Sequence, residues 1–138
     1  MSQQASGKMK GKVEIFSTDH QLIEEFEFDS HKVSRRVAEG LIFDGMMFRN
    51  DAAVIISLQF FDIKQPSGTF LYPGREIKDF IFFHEHPRSL YIRSGGVVVF
   101  QNNDSDVMNI NGKLTFSTEV KDSKYYKVEV IFTIAGMD

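Results

Sequence analysis

The stretch that decides the fold is residues 110–120, Ile-Asn-Gly-Lys-Leu-Thr-Phe-Ser-Thr-Glu-Val, together with residues 126–134, Tyr-Lys-Val-Glu-Val-Ile-Phe-Thr-Ile. In both segments, apolar residues recur at alternate positions, and polar residues fill most of the positions between them. Because successive side chains of a strand point to opposite faces, this alternation predicts two strands, each with one buried face. Residues 121–124, Lys-Asp-Ser-Lys, have turn composition, so the two strands are predicted to form a long antiparallel hairpin.

The dipeptide Asn111-Gly112 suggests a different structure at this point, because Asn-Gly is typical of a tight hairpin turn. The alternation nevertheless continues from Ile110 through Gly112 to Leu114. We therefore interpret residues 110–120 as one bent strand with a glycine bulge, with the tight turn as the alternative.

Upstream of the hairpin, the chain carries several more segments of strand composition. Residues 52–62 and 76–84 are apolar on both faces, which is typical of central strands, of strands under a second layer, or of a binding surface. Residues 30–40 are the one predicted helix, with Ser30 as a cap and Val33 and Val37 four positions apart, although the same residues also fit a poor strand. The remaining strands are predicted at residues 12–17, 21–29, 41–48, 69–72 and 97–100.

Length and composition agree with a sheet protein. The chain has 138 residues, enough for one domain, and contains 14 Phe, mostly within runs rich in Val and Ile. We predict an all-β protein, an antiparallel β-sandwich or partly open barrel of about nine strands with at most one short helix. Residues 1–10 are predicted as a flexible lead-in, and residues 11–138 as a single β domain.

Charge and motifs narrow the functional classes. A net charge of -3 disfavours a nucleic-acid partner, and no apolar run reaches the ~20 residues of a transmembrane helix. The absence of cysteine excludes disulfides, thiol catalysis and cysteine-ligated zinc. The phosphate-binding and nucleophile-elbow motifs are also missing from the sequence. The sequence therefore predicts no cofactor, and an enzyme is the less favoured class.

His84-Glu85-His86 is the strongest candidate in the sequence for a metal-binding or catalytic site. On a strand, the two histidines project from the same face about 7 Å apart, which suits two imidazoles on one metal ion. Cupin-type barrels use such a pair, but they also need a glutamate a few residues after the second histidine, then a glycine, and a later third histidine. Here Pro87-Arg88-Ser89-Leu90-Tyr91 contains no acid, and no histidine follows His86. We favour a strand that ends at Pro87, with a metal site at His84 and His86 as the alternative.

The aromatic residues of the central strands are candidates for a binding surface or an apolar cavity, although filling the core is their simplest role. The residues selected for ligand or partner binding are Phe61, Tyr72, Phe80, Phe82 and Tyr91.

Residues 94–120 contain Ser-Gly-Gly-Val-Val-Val-Phe, an Asn/Asp-rich turn, and then Gly-Lys-Leu-Thr-Phe. This pattern resembles the tail of small β-rich lipoproteins of Gram-negative bacterial envelopes, and it spans about a fifth of the chain. Leu114 departs from the pattern, which prefers an aromatic residue, and the lipid-bearing cysteine is absent. The resemblance implies the bacterial envelope or periplasm if the N-terminus is trimmed, and the cytoplasm is expected otherwise.

Together these observations predict a non-catalytic binding or structural module whose partner is a protein or a small apolar ligand. The contact is expected through aromatic-rich strands or a sheet edge, which also allows self-association into a homo-oligomer. Two alternatives stay open: a calycin-like carrier with an apolar cavity, and a metal-dependent β-barrel enzyme centred on His84 and His86.

Overall fold

The computed structural model describes residues 4–84, 89–104 and 108–138, with the side chains of residues 89–94 excepted. Within these ranges the chain forms strands and turns and contains no helix. The strands are β1 (Ser6–Ser17), β2 (Leu22–Ser30), β3 (Lys32–Val37), β4 (Leu41–Arg49), β5 (Ala52–Phe60), β6 (Gly68–Tyr72), β7 (Ile77–His84), β8 (Ser89–Asn102), β9 (Asn109–Thr118) and β10 (Lys124–Ala135).

The strands build two antiparallel sheets that share β8. The six-stranded sheet has the order β2-β1-β10-β9-β8-β6, and the five-stranded sheet has the order β3-β4-β5-β7-β8. β8 pairs first with β7 and then with β9 and β6, and its register shifts between Arg93 and Gly95. The predicted all-β antiparallel sandwich is confirmed, and the strands of the described residues do not close into a barrel.

The chain also crosses from the six-stranded to the five-stranded sheet at Ser30, where β2 ends and β3 follows after one residue. We call this crossing the corner. The buried Ser30 hydroxyl accepts hydrogen bonds from the backbone N–H groups of Lys32 at 3.2 Å and Met46 at 2.9 Å. It also donates to the Met46 carbonyl oxygen at 2.6 Å. One side chain therefore ties the end of β2 to β4 of the other sheet.

Replacing this hydroxyl is expected to weaken the corner. Ser30→Ala should lower the free energy of unfolding by about 1–3 kcal/mol, because two partly buried N–H groups lose their acceptor. The control is Ser34→Ala, which removes a hydroxyl that bonds only side chains that are at least partly exposed, those of Asp44 and Arg36, and should cost less than about 1 kcal/mol. Urea denaturation measures both values, and equal losses in the two variants would contradict this role for Ser30.

The predicted C-terminal hairpin is confirmed. β9 and β10 pair along their length, and Asp122 and Ser123 both have positive φ angles (53° and 63°) in the turn between them. β9 continues through Gly112 as one strand, so the tight-turn alternative is excluded. The predicted bulge is wrong, because the register with β8 and with β10 does not shift at this glycine. A Cβ atom there would lie 1.9 Å from the Val99 carbonyl oxygen, so close strand contact requires glycine.

The helix predicted for residues 30–40 is wrong, because these residues contain β3, which pairs with β4. Spacings of four satisfy both a helix and a strand, so Val33 and Val37 could not distinguish the two. In the strand, Arg35 lies between them and is fully buried. β3 is the strand by which the structure exceeds the predicted number of about nine.

β1 begins at Ser6, inside the segment for which we predicted a flexible lead-in. Residues 6–10 pair with residues 131–135 of β10, and Met9 is fully buried. Lys8 and Lys10, on either side of Met9, are exposed. The burial of this segment therefore alternates as in a strand. In the sequence, only one apolar residue among polar ones indicates this alternation.

Aromatic rings fill much of the space between the sheets. The ring of Phe43 on β4 lies 4.7 Å from that of Phe132 on β10 and 6.0 Å from that of Phe100 on β8, measured between centroids. Phe80 on β7 lies 4.6 Å from Phe116 on β9 in the same way. These contacts join opposite sheets, so most of the phenylalanine noted in the sequence forms the core.

Candidate functional site

His84 lies at the end of β7 with its side chain directed into the core. It is 8% exposed, and its Nδ1 lies 3.3 Å from the Tyr126 hydroxyl oxygen. The ring of Phe26 lies 6.1 Å from the imidazole between centroids, so the histidine has an aromatic surrounding. His86 lies outside the described residues, and within those residues no group of three or more His, Cys, Asp or Glu could hold a metal ion. The metal site at His84 and His86 stays a prediction.

The aromatic residues selected from the sequence occupy different environments. Phe80 and Phe82 are fully buried, and Tyr72 is partly buried with its ring edge-on to that of Phe80 at 6.2 Å. Phe61 follows the end of β5 and is 56% exposed. The side chain of Tyr91 is not among those described. The structure therefore does not bring Phe61, Phe80 and Phe82 to one surface.

The same strands nevertheless carry an apolar surface on their other side. Met46 on β4 is opposite Ile55 on β5, and Ile55 is opposite Phe83 on β7, so three apolar residues form a row across three strands. Phe48, 59% exposed, and the partly exposed Ile81 flank this row. Among the described strands, none packs over this side of the five-stranded sheet. We call these residues the apolar face: Met46, Phe48, Ile55, Ile81 and Phe83.

Polar groups border the apolar face along β3. The Ser34 hydroxyl donates to the Asp44 carboxylate at 2.6 Å, and the Arg36 guanidinium donates to the same carboxylate at 3.3 Å. The Lys32 ammonium lies 5.8 Å from the centroid of the Phe48 ring. An apolar centre with a hydrogen-bonded polar margin is the usual anatomy of a protein–protein contact surface.

A second surface feature is an open groove of about 840 Å³ on the outer side of the six-stranded sheet. Two of its charged lining residues are in ion pairs: Lys12 lies 3.1 Å from Glu25, and Glu129 lies 2.9 Å from Lys113 beside the groove. The hydrogen bond to the Glu25 carboxylate, reinforced by its charge, raises the pKa of Lys12 above its ordinary value. The groove lining thus carries charges of both signs, Lys10, Lys12 and Lys127 against Glu14 and Glu129.

Exposed apolar residues also occur beside this groove. Val97 and Val99 on β8 and Leu71 on β6 are 36%, 48% and 62% exposed. Ile131 on β10 is separated from Val99 by Lys113 in the cross-strand register, so no apolar row crosses the described part of this sheet. The apolar face is therefore broader and contains Met and Phe, which are enriched in the centres of protein interfaces.

The strands of the apolar face are among those predicted from the sequence, but the β7 residues predicted to bind a partner, Phe80 and Phe82, lie on the buried side. The signal was present in the two-sided apolar composition of residues 52–62 and 76–84. Residues of opposite parity face opposite sides, so Phe80 and Phe82 enter the core while Ile81 and Phe83 remain on the outside. Composition alone did not distinguish the two sets.

Comparisons of this chain with protein-family models, with curated proteins and with solved structures gave no match. The described residues also include no helix of the length and apolarity needed to cross a membrane.

Proposed function

We propose that this protein is a non-catalytic binding module that docks another protein surface on the apolar face. The observation that carries the proposal is the in-register row of Met46, Ile55 and Phe83 on the outer side of a sheet, without a described layer above it. Antiparallel sheets ordinarily present polar residues to water on their outer side. An apolar outer surface of this kind marks an interaction site.

The packing between the sheets favours this function over the carrier. Rings from opposite sheets are in contact at the centre of the sandwich, as in the pairs Phe43–Phe132 and Phe80–Phe116. Phe60 and Phe100 add a further contact with centroids 4.8 Å apart. An apolar carrier needs open volume where these rings lie. The outer surface is therefore the better place for a partner.

A photo-crosslinking experiment tests the proposal. Benzoylphenylalanine replaces Phe83 on the apolar face or Val99 on the opposite sheet, and irradiation is performed in the cells that produce the protein. We expect adducts from position 83, and we expect calorimetric affinity for the identified, purified partner to fall at least about tenfold with Ile55→Lys, because a lysine replaces an apolar contact at the centre of the face. The matched variant Val99→Lys should leave this affinity unchanged.

Three results decide the proposal. Position 83 adducts together with the loss in Ile55→Lys support it, whether the partner is another protein or the same chain. Adducts confined to position 99, or an affinity lowered only by Val99→Lys, assign binding to the six-stranded sheet and overturn it. Far-UV circular dichroism and the thermal midpoint verify that both lysine variants keep the fold.

A further inference from the structure

We infer that the partner seated on the apolar face is a second copy of this chain, an inference that rests on the proposed function. The two copies stack their five-stranded sheets face to face across a two-fold axis. The axis is parallel to the strands and passes midway between β4 and β5. The assembly has four sheet layers, and each copy contributes the same surface, as in most homodimers.

The registers make the apolar face self-complementary under this symmetry. A two-fold axis between β4 and β5 exchanges these strands and keeps every residue in its own cross-strand row. Met46 of one copy then lies over Ile55 of the other, since the two residues are register partners. The Met46–Ile55 contact therefore occurs twice at the centre, and at the two ends of the same row Lys32 of each copy lies over Phe83 of the other. Face-to-face sheets tolerate the relative rotation of roughly 30° that their twist produces.

Charge complementarity gives an independent argument for a second copy. Arg36 on β3, Ile42, Gln59 and Asp79 on β7 form one row through three successive register pairs. The same axis exchanges β3 with β7, so Arg36 of each copy lies over Asp79 of the other. The Arg36 side chain is 48% exposed, and Asp79 is also exposed, so both can reach a partner. Within its own copy, Arg36 donates to the Asp44 carboxylate and to the Ser34 hydroxyl, and these two remain bonded to each other when Arg36 turns outward.

A sheet edge, the contact expected from the sequence, is less suitable for self-association. The edge strand β2 carries Glu24, Glu25 and Glu27, and pairing two such edges would bring carboxylates together. The edge strand β6 spans only Gly68–Tyr72, and short edge strands are a common protection against pairing. The face avoids both difficulties because it spans four strands and its four charged residues, Lys32, Arg36, Asp44 and Asp79, include two of each sign.

The size of the face predicts a weak dimer. Four strands about 4.8 Å apart, each contributing roughly eight residues at about 3.3 Å, give an area of roughly 500 Å² per copy. The total of roughly 1,000 Å² is at the lower limit for specific interfaces. The weight-average mass is therefore expected to rise with protein concentration from 15.8 kDa toward twice that value.

Sedimentation equilibrium with a charge exchange tests the dimer. Arg36→Asp and Asp79→Arg should each weaken dimerisation at least about tenfold, since each places like charges in contact twice. The double variant Arg36→Asp/Asp79→Arg should restore it to within about threefold of the original constant. β3 and β7 are separated by β4 and β5, about 14 Å in total, so this rescue cannot arise inside one copy. Ile55→Lys should yield a monomer, and Val99→Lys should dimerise like the unmodified chain.

The results separate this inference from the proposed function. Rescue by the double variant supports the two-fold dimer. A chain that is monomeric at every concentration overturns the dimer, and adducts from position 83 with a different protein would then leave the proposed function intact. A dimer that persists in Ile55→Lys but is lost in Val99→Lys overturns both.

Discussion

Asp104→Asn is expected to lower the free energy of unfolding by about 3 kcal/mol, the lower end of the range for breaking a buried ion pair. The Arg35 side chain is only 1% exposed, and that of its partner, Asp104, is 31% exposed. The guanidinium donates through both terminal nitrogens to the carboxylate, one of them at 3.0 Å. An amide keeps the shape of the carboxylate but leaves the buried guanidinium without a countercharge.

The position of this pair explains why its loss should affect the whole fold. Arg35 lies on β3 at one edge of the five-stranded sheet, and Asp104 follows β8. The backbone of Arg35 also exchanges hydrogen bonds with Asp138, whose N–H donates to the Arg35 carbonyl oxygen at 2.7 Å. The Asp138 carboxylate accepts from the Arg35 N–H at 3.2 Å and from the Ala5 N–H at 3.0 Å. Arg35 therefore joins β3 to Asp104 and Asp138, and Asp138 in turn holds the chain at Ala5.

A second variant tests whether the loss of stability comes from the unpaired charge of Arg35 or from weaker packing. Arg35→Met/Asp104→Asn should recover most of the stability lost in Asp104→Asn, because it removes the unpaired buried charge and keeps an unbranched apolar stem. Arg35 Nε is buried without a hydrogen-bond partner among the described residues. Part of the free-energy cost of removing the guanidinium from water is therefore not offset by a hydrogen bond. Urea denaturation measures the free energies.

The adjacent Arg36 provides the control. Arg36→Met breaks the pair with Asp44 in which the arginine side chain is 48% exposed, so it should cost less than about 1 kcal/mol. Equal losses for Arg36→Met and Asp104→Asn would contradict the assignment, as would a double variant no more stable than Asp104→Asn alone.

Arg35 also shows which part of the fold the sequence could not predict. Strands with local alternation, such as β9 and β10, were found because every step of their pattern is visible within a few residues. β3 was missed because its strand reading places an arginine on the buried side. That placement becomes favourable only through Asp104, 69 residues away. A long-range ion pair leaves no local periodicity.

The candidate site illustrates a different limit. Residues 52–62 and 76–84 were recognised as apolar on both sides, and both contribute to the apolar face. Which side faces the core depends on the register with neighbouring strands, and a shift of one residue exchanges the sides. Phe82 pairs with Ile56, and both are fully buried, whereas Phe83 pairs with Ile55 on the outer side. The sequence supplied the strands, and register assigned their sides.

Phe43→Ala is the second variant for which we expect a large effect, a loss of about 3–5 kcal/mol in the free energy of unfolding. Phe43 is fully buried, and its ring lies 4.7 Å from that of Phe132, 6.0 Å from that of Phe100 and 6.3 Å from that of Phe60. Removing it leaves a cavity where the two sheets meet, and the surrounding rings cannot collapse without moving a strand.

Two companion variants decide whether this loss comes from the cavity. Phe43→Leu keeps most of the volume and should cost about 1–2 kcal/mol. Phe61→Ala removes the same type of ring from a site that is 56% exposed, so its effect should stay within about 0.5 kcal/mol. The three values, measured by urea denaturation, should follow the buried volume removed. If Phe61→Ala proved as costly as Phe43→Ala, Phe61 would have to be packed against the domain, and the assignment of the aromatic core would need revision.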